Sequence, residues 1–314
     1  MNGTSSSRSF RDYALIWLKG MAMGAADLVP GVSGGTVALI TGIYDELLGT
    51  IAQLHPRMIS DLFRNGLKAT WKEANAPFIA ALAGGILTSV ALLSKLLHHL
   101  LVNEKEALYA FFFGLVAASV PLVGKTVANW KIPQIGLAVL GTAIAAAITS
   151  LPVSMGSDGH LFLGACASIA ACAMILPGIS GSFILLLLGA YGAVIGALKD
   201  FDVLRIGAIA GGAILGLLGF SKLLQKLLKK ARAQTLALLT GFLLGSLQAL
   251  WPWKKALSLL YTHSDGRETW SQTNAWPSTE SADILLPCAA FALLGMLVVT
   301  GVSRLGSSMS TSTS

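Results

Sequence analysis

Two long apolar stretches of this chain are interrupted by one pattern, Pro-Gly-x-Ser-Gly, at residues 30–34 and again at 177–181. Proline removes a helix hydrogen bond and clashes with the preceding turn, and glycine is a poor helix former, so each pattern breaks a helix. A broken helix leaves backbone N–H and C=O groups without partners. In lipid each such group costs several kcal/mol, so a break persists only where protein or a wet cavity surrounds it.

The setting of these breaks is a membrane. Of the 314 residues, 54% are hydrophobic and 12% charged, and the mean hydropathy is +0.71. Soluble domains carry about a quarter charged residues. Apolar runs long enough for bilayer spans recur along the whole chain. The net charge of +7 fits basic loops on the cytoplasmic side of a membrane protein, and no nucleic-acid partner is expected. Cys166, Cys172 and Cys288 sit in apolar stretches without metal-like spacing, so neither a disulfide nor a metal site is expected.

The similarity extends beyond the motif. Pro30-Gly31-Val32-Ser33-Gly34-Gly35 is repeated as Pro177-Gly178-Ile179-Ser180-Gly181-Ser182, and Gly42 and Tyr44 by Gly189 and Tyr191. Ala83-Gly84-Gly85 then matches Ala210-Gly211-Gly212, and Ser94-Lys95-Leu96-Leu97 matches Ser221-Lys222-Leu223-Leu224. Gly114 and Ser119 match Gly241 and Ser246. The offset shortens once, because the first half has a longer basic loop at 55–76. Pro, Gly, Ser and Lys kept in order mark an internal duplication.

The expected architecture is all-α and polytopic, in two repeats (1–153 and 154–314). Each repeat has a Pro-Gly-broken hairpin (13–54; 161–198) and three spans (77–101, 107–124 and 134–152; 205–228, 235–251 and 284–303). Short, Gly-rich arms favour re-entrance. Whether each hairpin is re-entrant or spans fully, the crossings per repeat are odd, so the second repeat inserts upside down. This is the inverted-repeat plan of secondary transporters. With the hairpins re-entrant, Arg57, Arg64, Lys68, Lys72, Lys125, Lys131, Lys226, Lys229, Lys230 and Arg232 fall on one side. That places both termini in the cytoplasm.

Ser33 and Ser180 are expected as N-caps of the second arms, with Gly34, Gly35 and Thr36, and Gly181 and Ser182, in the first turns. Uncovered first-turn amides, hydroxyls and the helix dipole make an anion site without a cation. Gly31 and Gly178, with Pro30 and Pro177, form the breaks themselves. Asp27, whose counterpart is Met174, is the candidate for proton coupling; the alternative is a cap held by nearby amides. Lys95 and Lys222 occupy equivalent places near opposite faces. They are candidates to receive an anionic head group, or else snorkel to the interface. Asp45 and Glu46 are expected to be solvated, and Trp251 and Trp253 to join an aromatic belt.

The stretch Asp27-Leu28-Val29-Pro30-Gly31-Val32-Ser33-Gly34-Gly35-Thr36, with Pro177–Ser182 leading into Gly189-Ala190-Tyr191, resembles the bacterial polyprenyl-phosphate transporter family, long known as a domain of unknown function. The resemblance covers nearly the whole chain. It implies return of undecaprenyl phosphate from the outer to the inner leaflet of the bacterial cytoplasmic membrane for reuse in cell-wall synthesis. It also implies a head-group region at 27–36 and 177–182, with no cofactor. The coupling ion, proton or sodium, and the oligomeric state stay open. Two rivals are weighed beside it. One is an inorganic-anion channel or exchanger. The other is a membrane undecaprenyl-pyrophosphate phosphatase, whose Pro-Gly-x-Ser-Arg-Ser motif has Arg where this chain has Gly34 and Gly181. No Glu-x-x-x-Glu pair lies in a membrane segment, and without an in-membrane cation or general base phosphate-ester chemistry lacks its parts.

Overall fold

Capping residues and glycine turns divide the chain into two series of helices with the same order. The computed structural model describes residues 8–29, 31–55, 58, 66, 70–71, 73–151, 156–157, 159–262, 268–277 and 282–310. Pro30, Arg57, Arg64, Lys68 and Lys72 lie outside the described residues. The first series is α1 (Phe10–Asp27), α2 (Gly34–Ile40) and α3 (Tyr44–Gln53), then the longer α4 (Ala76–Asn103), α5 (Lys105–Gly124) and α6 (Ile132–Ser150). The second is α7 (His160–Ile175), α8 (Gly181–Leu187) and α9 (Tyr191–Lys199), then α10 (Val203–Lys230), α11 (Arg232–Ser246) and α12 (Ala282–Ser310). A 3-10 turn, Leu247–Leu250, continues α11.

Six of these helices are long and apolar enough to cross a membrane: α4, α5, α6, α10, α11 with its 3-10 turn, and α12 over Ile284–Ser303. The protein is an all-α polytopic membrane protein. Its 28-residue helices α4 and α10 reach about 42 Å, longer than a hydrocarbon core of about 30 Å. Leu87, Leu215, Leu286 and Leu297 stand exposed on the outer faces of α4, α10 and α12. Helices α5 and α11 form the buried inner pair.

Helix pairing follows the duplication. Gly20 of α1 packs on Leu82 of α4 and Gly24 on Ile86, so numbering rises together along a parallel pair. In the second series Gly212 of α10 packs on Gly164 of α7, and Gly216 on Ser168, in the same sense. The inner helices cross between halves. Gly114 of α5 packs on Ala292 of α12, and the matching Gly241 of α11 packs on Ala138 of α6. Likewise Gly295 of α12 faces Phe111, and Gly141 of α6 faces Leu238. Missing side chains at these points let the backbones approach closely, which supplies the packing that lipid-facing Leu cannot.

Because α1 and α4 are parallel, they begin at the same end of the molecule. The contacts there agree: Arg8, before α1, holds Glu46 of α3 through two bonds of 2.7 Å. Asn75, before α4, donates to the same Glu46 at 2.9 Å and to Thr50 at 3.1 Å. The chain between α1 and α4 therefore returns to the end from which it set out.

The stretch after each break differs from a single second arm. It is two helices, α2 then α3, and α8 then α9, the latter pair bent by 108°. The cause is a glycine terminator. Gly42 N–H donates to Leu39 O at 3.3 Å and Ile43 N–H to Ala38 O at 3.0 Å, with Gly42 at φ +76°. Gly189 and Ala190 repeat these bonds to Leu186 and Leu185 with Gly189 at φ +69°. This is the Schellman end, which only a residue tolerant of positive φ completes.

A second difference is a β-hairpin in the segment before α12. Strands β1 (Lys254–Thr262) and β2 (Glu268–Asn274) pair antiparallel, from Lys254 opposite Asn274. Trp251 anchors its base. The ring meets Phe113, Trp253 and Trp276 edge-on at 5.4–5.7 Å, and its Nε1 donates to Ala275 O at 2.8 Å. Trp251 and Trp253 are thus part of a local cluster over α5.

Candidate functional site

The two breaks meet in the middle of the fold. Ser33 is the N-cap of α2 and Ser180 the N-cap of α8, both in extended backbone, and Gly31 and Gly178 share φ values of +86° and +88°. Ser33, Thr36 and Ser180 are almost fully buried, as are Gly34, Gly35, Gly181 and Pro177; Ser182 is half-buried.

Neither serine hydroxyl caps its own helix. Ser33 Oγ donates to Leu176 O at 3.2 Å, across to the second repeat. Ser180 Oγ pairs with Ser182 Oγ at 2.9 Å. Thr36 Oγ1 accepts from Gly178 N–H at 2.9 Å, a second tie between the repeats. The first amide of α2, Gly34 N–H, donates to Asp27 Oδ1 at 2.7 Å. Asp27 is thus the cap of α2, and Met174 in the second repeat leaves α8 without one.

Gly178 is needed twice over. Its φ of +88° disfavours any side chain, and a Cβ there would lie 2.8 Å from Ser246 Oγ and 2.9 Å from Phe242 O. The second break therefore rests on the backbone of α11, against the buried Ser246 that matches Ser119.

The repeats are unequal around the breaks. Tyr44 is buried, and its hydroxyl donates to Ile175 O at 3.0 Å, at the end of α7. Its counterpart Tyr191 is half-buried and makes no such bond among the described residues. Helix α3 packs on α10, with no comparable packing of α9 on α4 among the described residues.

Asp45 is exposed, as expected, though paired, whereas Glu46 is half-buried and differs from the solvated carboxylate expected of it. Arg232, at the start of α11, grips Asp45 with bonds of 3.2 and 2.7 Å, and Glu46 is held by Arg8 and Asn75. Burial acts to raise the Glu46 pKa, but the Arg8 and Asn75 hydrogen bonds outweigh it and hold the carboxyl below its ordinary range. These pairs form because α3 turns back at Gly42, which its place in the repeat alone did not reveal.

Lys95 and Lys222 stand exposed on α4 and α10, away from the breaks. Lys19 was missed by the motif-centred reading. It lies inside α1, half-buried, and its Nζ donates to Thr41 O at the end of α2 at 2.8 Å. The first broken segment is therefore not free of cations. The residue's signal was present: a lysine in the middle of an apolar arm, with Cys166 at the matching position. With α2 seven residues long, or about 10 Å, Lys19 sits at its far end from Ser33. The shortness of α2 and α8 also means that the local field comes from first-turn amides and hydroxyls rather than a long dipole.

Comparison with known proteins places this geometry. Residues 23–268 match the model of the undecaprenyl phosphate translocase-like family. A polyprenyl-phosphate transporter of Vibrio cholerae serotype O1 is 42% identical over 266 residues, covering 85% of this chain and 86% of the relative. A polyprenyl-phosphate transporter of Staphylococcus aureus is 34% identical over 257 residues, covering 75% and 85%. No solved structure matches.

Proposed function

From a chain that belongs to the undecaprenyl phosphate translocase-like family, we propose a transporter, not an enzyme, that carries a polyprenyl phosphate such as undecaprenyl phosphate from the outer to the inner leaflet of the bacterial cytoplasmic membrane. The observation that carries this reading is the meeting of the two helix breaks, tied by Ser33 to Leu176 O and by Gly178 N–H to Thr36. An anionic head group has donors there: the Ser33, Thr36, Ser180 and Ser182 hydroxyls and the first-turn amides of Gly34, Gly35 and Gly181. The apolar tail stays in lipid while the head group passes.

Both repeats take part, so we read them as inverted about the breaks, with both termini in the cytoplasm. Parallel α1/α4 and α7/α10 pairs, with the three spans α4, α5 and α6 between the start of α1 and the start of α7, support this reading. Packing of α3 on α10, with its ion pairs to Arg8 and Arg232, marks one end as closed. Exchange of partners, with α9 taking the place of α3 and Tyr191 that of Tyr44, would close the other end and open the first.

Asp27 couples this exchange to a proton. As a carboxylate it occupies Gly34 N–H, an amide that the phosphate needs. Protonation weakens that bond and frees the amide, so head group and carboxylate compete for one donor. Sodium is the alternative coupling ion.

The test uses liposomes with labelled undecaprenyl phosphate in one leaflet. The protein should accelerate crossing well above empty liposomes, and no acceleration would sink the proposal. Ser33→Ala with Ser180→Ala should slow it, and unchanged transport would remove the hydroxyls from the head-group site.

A further inference from the structure

Lys19 is placed about 14 Å along α1 from the first helical residue, within the arm that leads to the first break. Its ammonium donates to Thr41 O, and no carboxylate pairs with it among the described residues. Glu46 is the acid whose field reaches it, but Glu46 is already taken by Arg8 and Asn75. A half-buried cation with only a carbonyl for partner lacks a counter-charge, and such groups at membrane depth mark ion or substrate routes. The second repeat offers no equivalent, because Cys166, buried and neutral, stands at the matching position. Beside Lys19, Leu18 and Ala22 are exposed on the same helix. The ammonium is thus within reach of the lipid side, where an apolar tail can lie.

We propose that Lys19 is a binding residue for the phosphate of the lipid substrate, receiving it between the paired breaks and the end of the molecule at which Arg8 and Glu46 meet. This rests on the transport reading and deepens it. The ligand is a lipid-borne phosphate monoester, and Lys19 leaves Thr41 O to pair with it. The two half-routes then differ in chemistry: one carries a cation and the other does not.

A structural role for Lys19, as a donor to the last carbonyls of α2, is the competing account. Lys19→Gln separates the two, since the amide keeps a donor for Thr41 O and loses the charge. Lys19→Arg keeps both. In the liposome assay at sub-saturating undecaprenyl phosphate, K19Q should be slowed at least about tenfold, the loss expected for a charge-assisted contact to phosphate. K19R should stay within about threefold of wild type. Thermal unfolding in detergent should be the same for all three. Wild-type rates in K19Q, or equal losses in K19Q and K19R, overturn the assignment. An inactive wild type would instead sink the transport reading itself. Inorganic phosphate at millimolar concentration should leave the wild-type rate unchanged. Inhibition that K19Q escapes would reassign Lys19 to free phosphate and overturn the lipid-borne assignment.

Discussion

Tyr44 donates its hydroxyl to Ile175 O at 3.0 Å and so locks α3 of one repeat to the end of α7 in the other. Tyr191, its match, is half-buried and makes no such bond among the described residues. The pair makes the two-state reading testable. Tyr44→Phe leaves a buried carbonyl without that donor, at a cost of about 1–3 kcal/mol. It should lower the thermal unfolding temperature and shift labelling of a cysteine placed on α3 toward the exposed state by at least about fivefold. Tyr191→Phe should leave both measurements near wild type.

The second break should tolerate substitution least. Gly178→Ala must accommodate both a positive φ and a Cβ 2.8 Å from Ser246 Oγ. It should destabilise the protein by roughly 2 kcal/mol or more. At Gly31, the nearest neighbour of a Cβ is Leu250 Cδ2 at 3.8 Å. Gly31→Ala should therefore cost only the backbone strain, about 1 kcal/mol. Unfolding curves for the two proteins in one detergent give the order directly.

The bond from Gly34 to Asp27 can be separated from the coupling role proposed for this carboxylate. Asp27→Asn keeps an oxygen that accepts from Gly34 N–H, so stability should change by no more than about 1 kcal/mol. Its transport should lose dependence on a proton gradient. Persistence of that dependence in a folded D27N protein would remove Asp27 from coupling.

Acid should loosen the closed end. The Glu46 carboxyl is held below its ordinary range in the folded protein, so its pairing stabilises at neutral pH. That contribution is lost as pH falls from the ordinary glutamate range through the lowered folded value. Thermal stability should therefore fall with pH in this acidic window, and Glu46→Gln should flatten the dependence.

Much of this molecule was legible because membranes punish irregular backbone. Pro177, Gly178 and Ser180 could sit together in an apolar run only at a protected break, so the motif alone marked where the helices end. The Gly114/Gly241 match likewise anticipated equivalent helices. What stayed hidden depended on partners distant in sequence. Gly42 and Gly189 were visible as repeated residues, yet the Schellman ends they form, and the division of α2 from α3, require the bonds from Ile43 and Ala190. Capping by Asp27 rather than Ser33 was equally hidden, because the Ser33 hydroxyl is drawn to Leu176 O, a partner far off in sequence. Lys19 was visible as a lysine within an apolar arm, but its partner, Thr41 O, belongs to the backbone and leaves no mark in composition.

The crossed inner pairs bear on how such a chain is made. α5 finds its glycine-mediated partner in α12, and α6 finds its own in α11. While the first repeat is being inserted, α6 lacks its main packing partner, and α5 has, among the described residues, only its contacts with α2 and α4. Their glycine-mediated contacts form only once the last third of the chain is synthesised. An ancestor with one repeat could have satisfied the same surfaces by joining a second copy of itself, inserted the other way up on the inverted reading proposed above. The duplication would then have fused into one chain a pair that formerly depended on dual insertion.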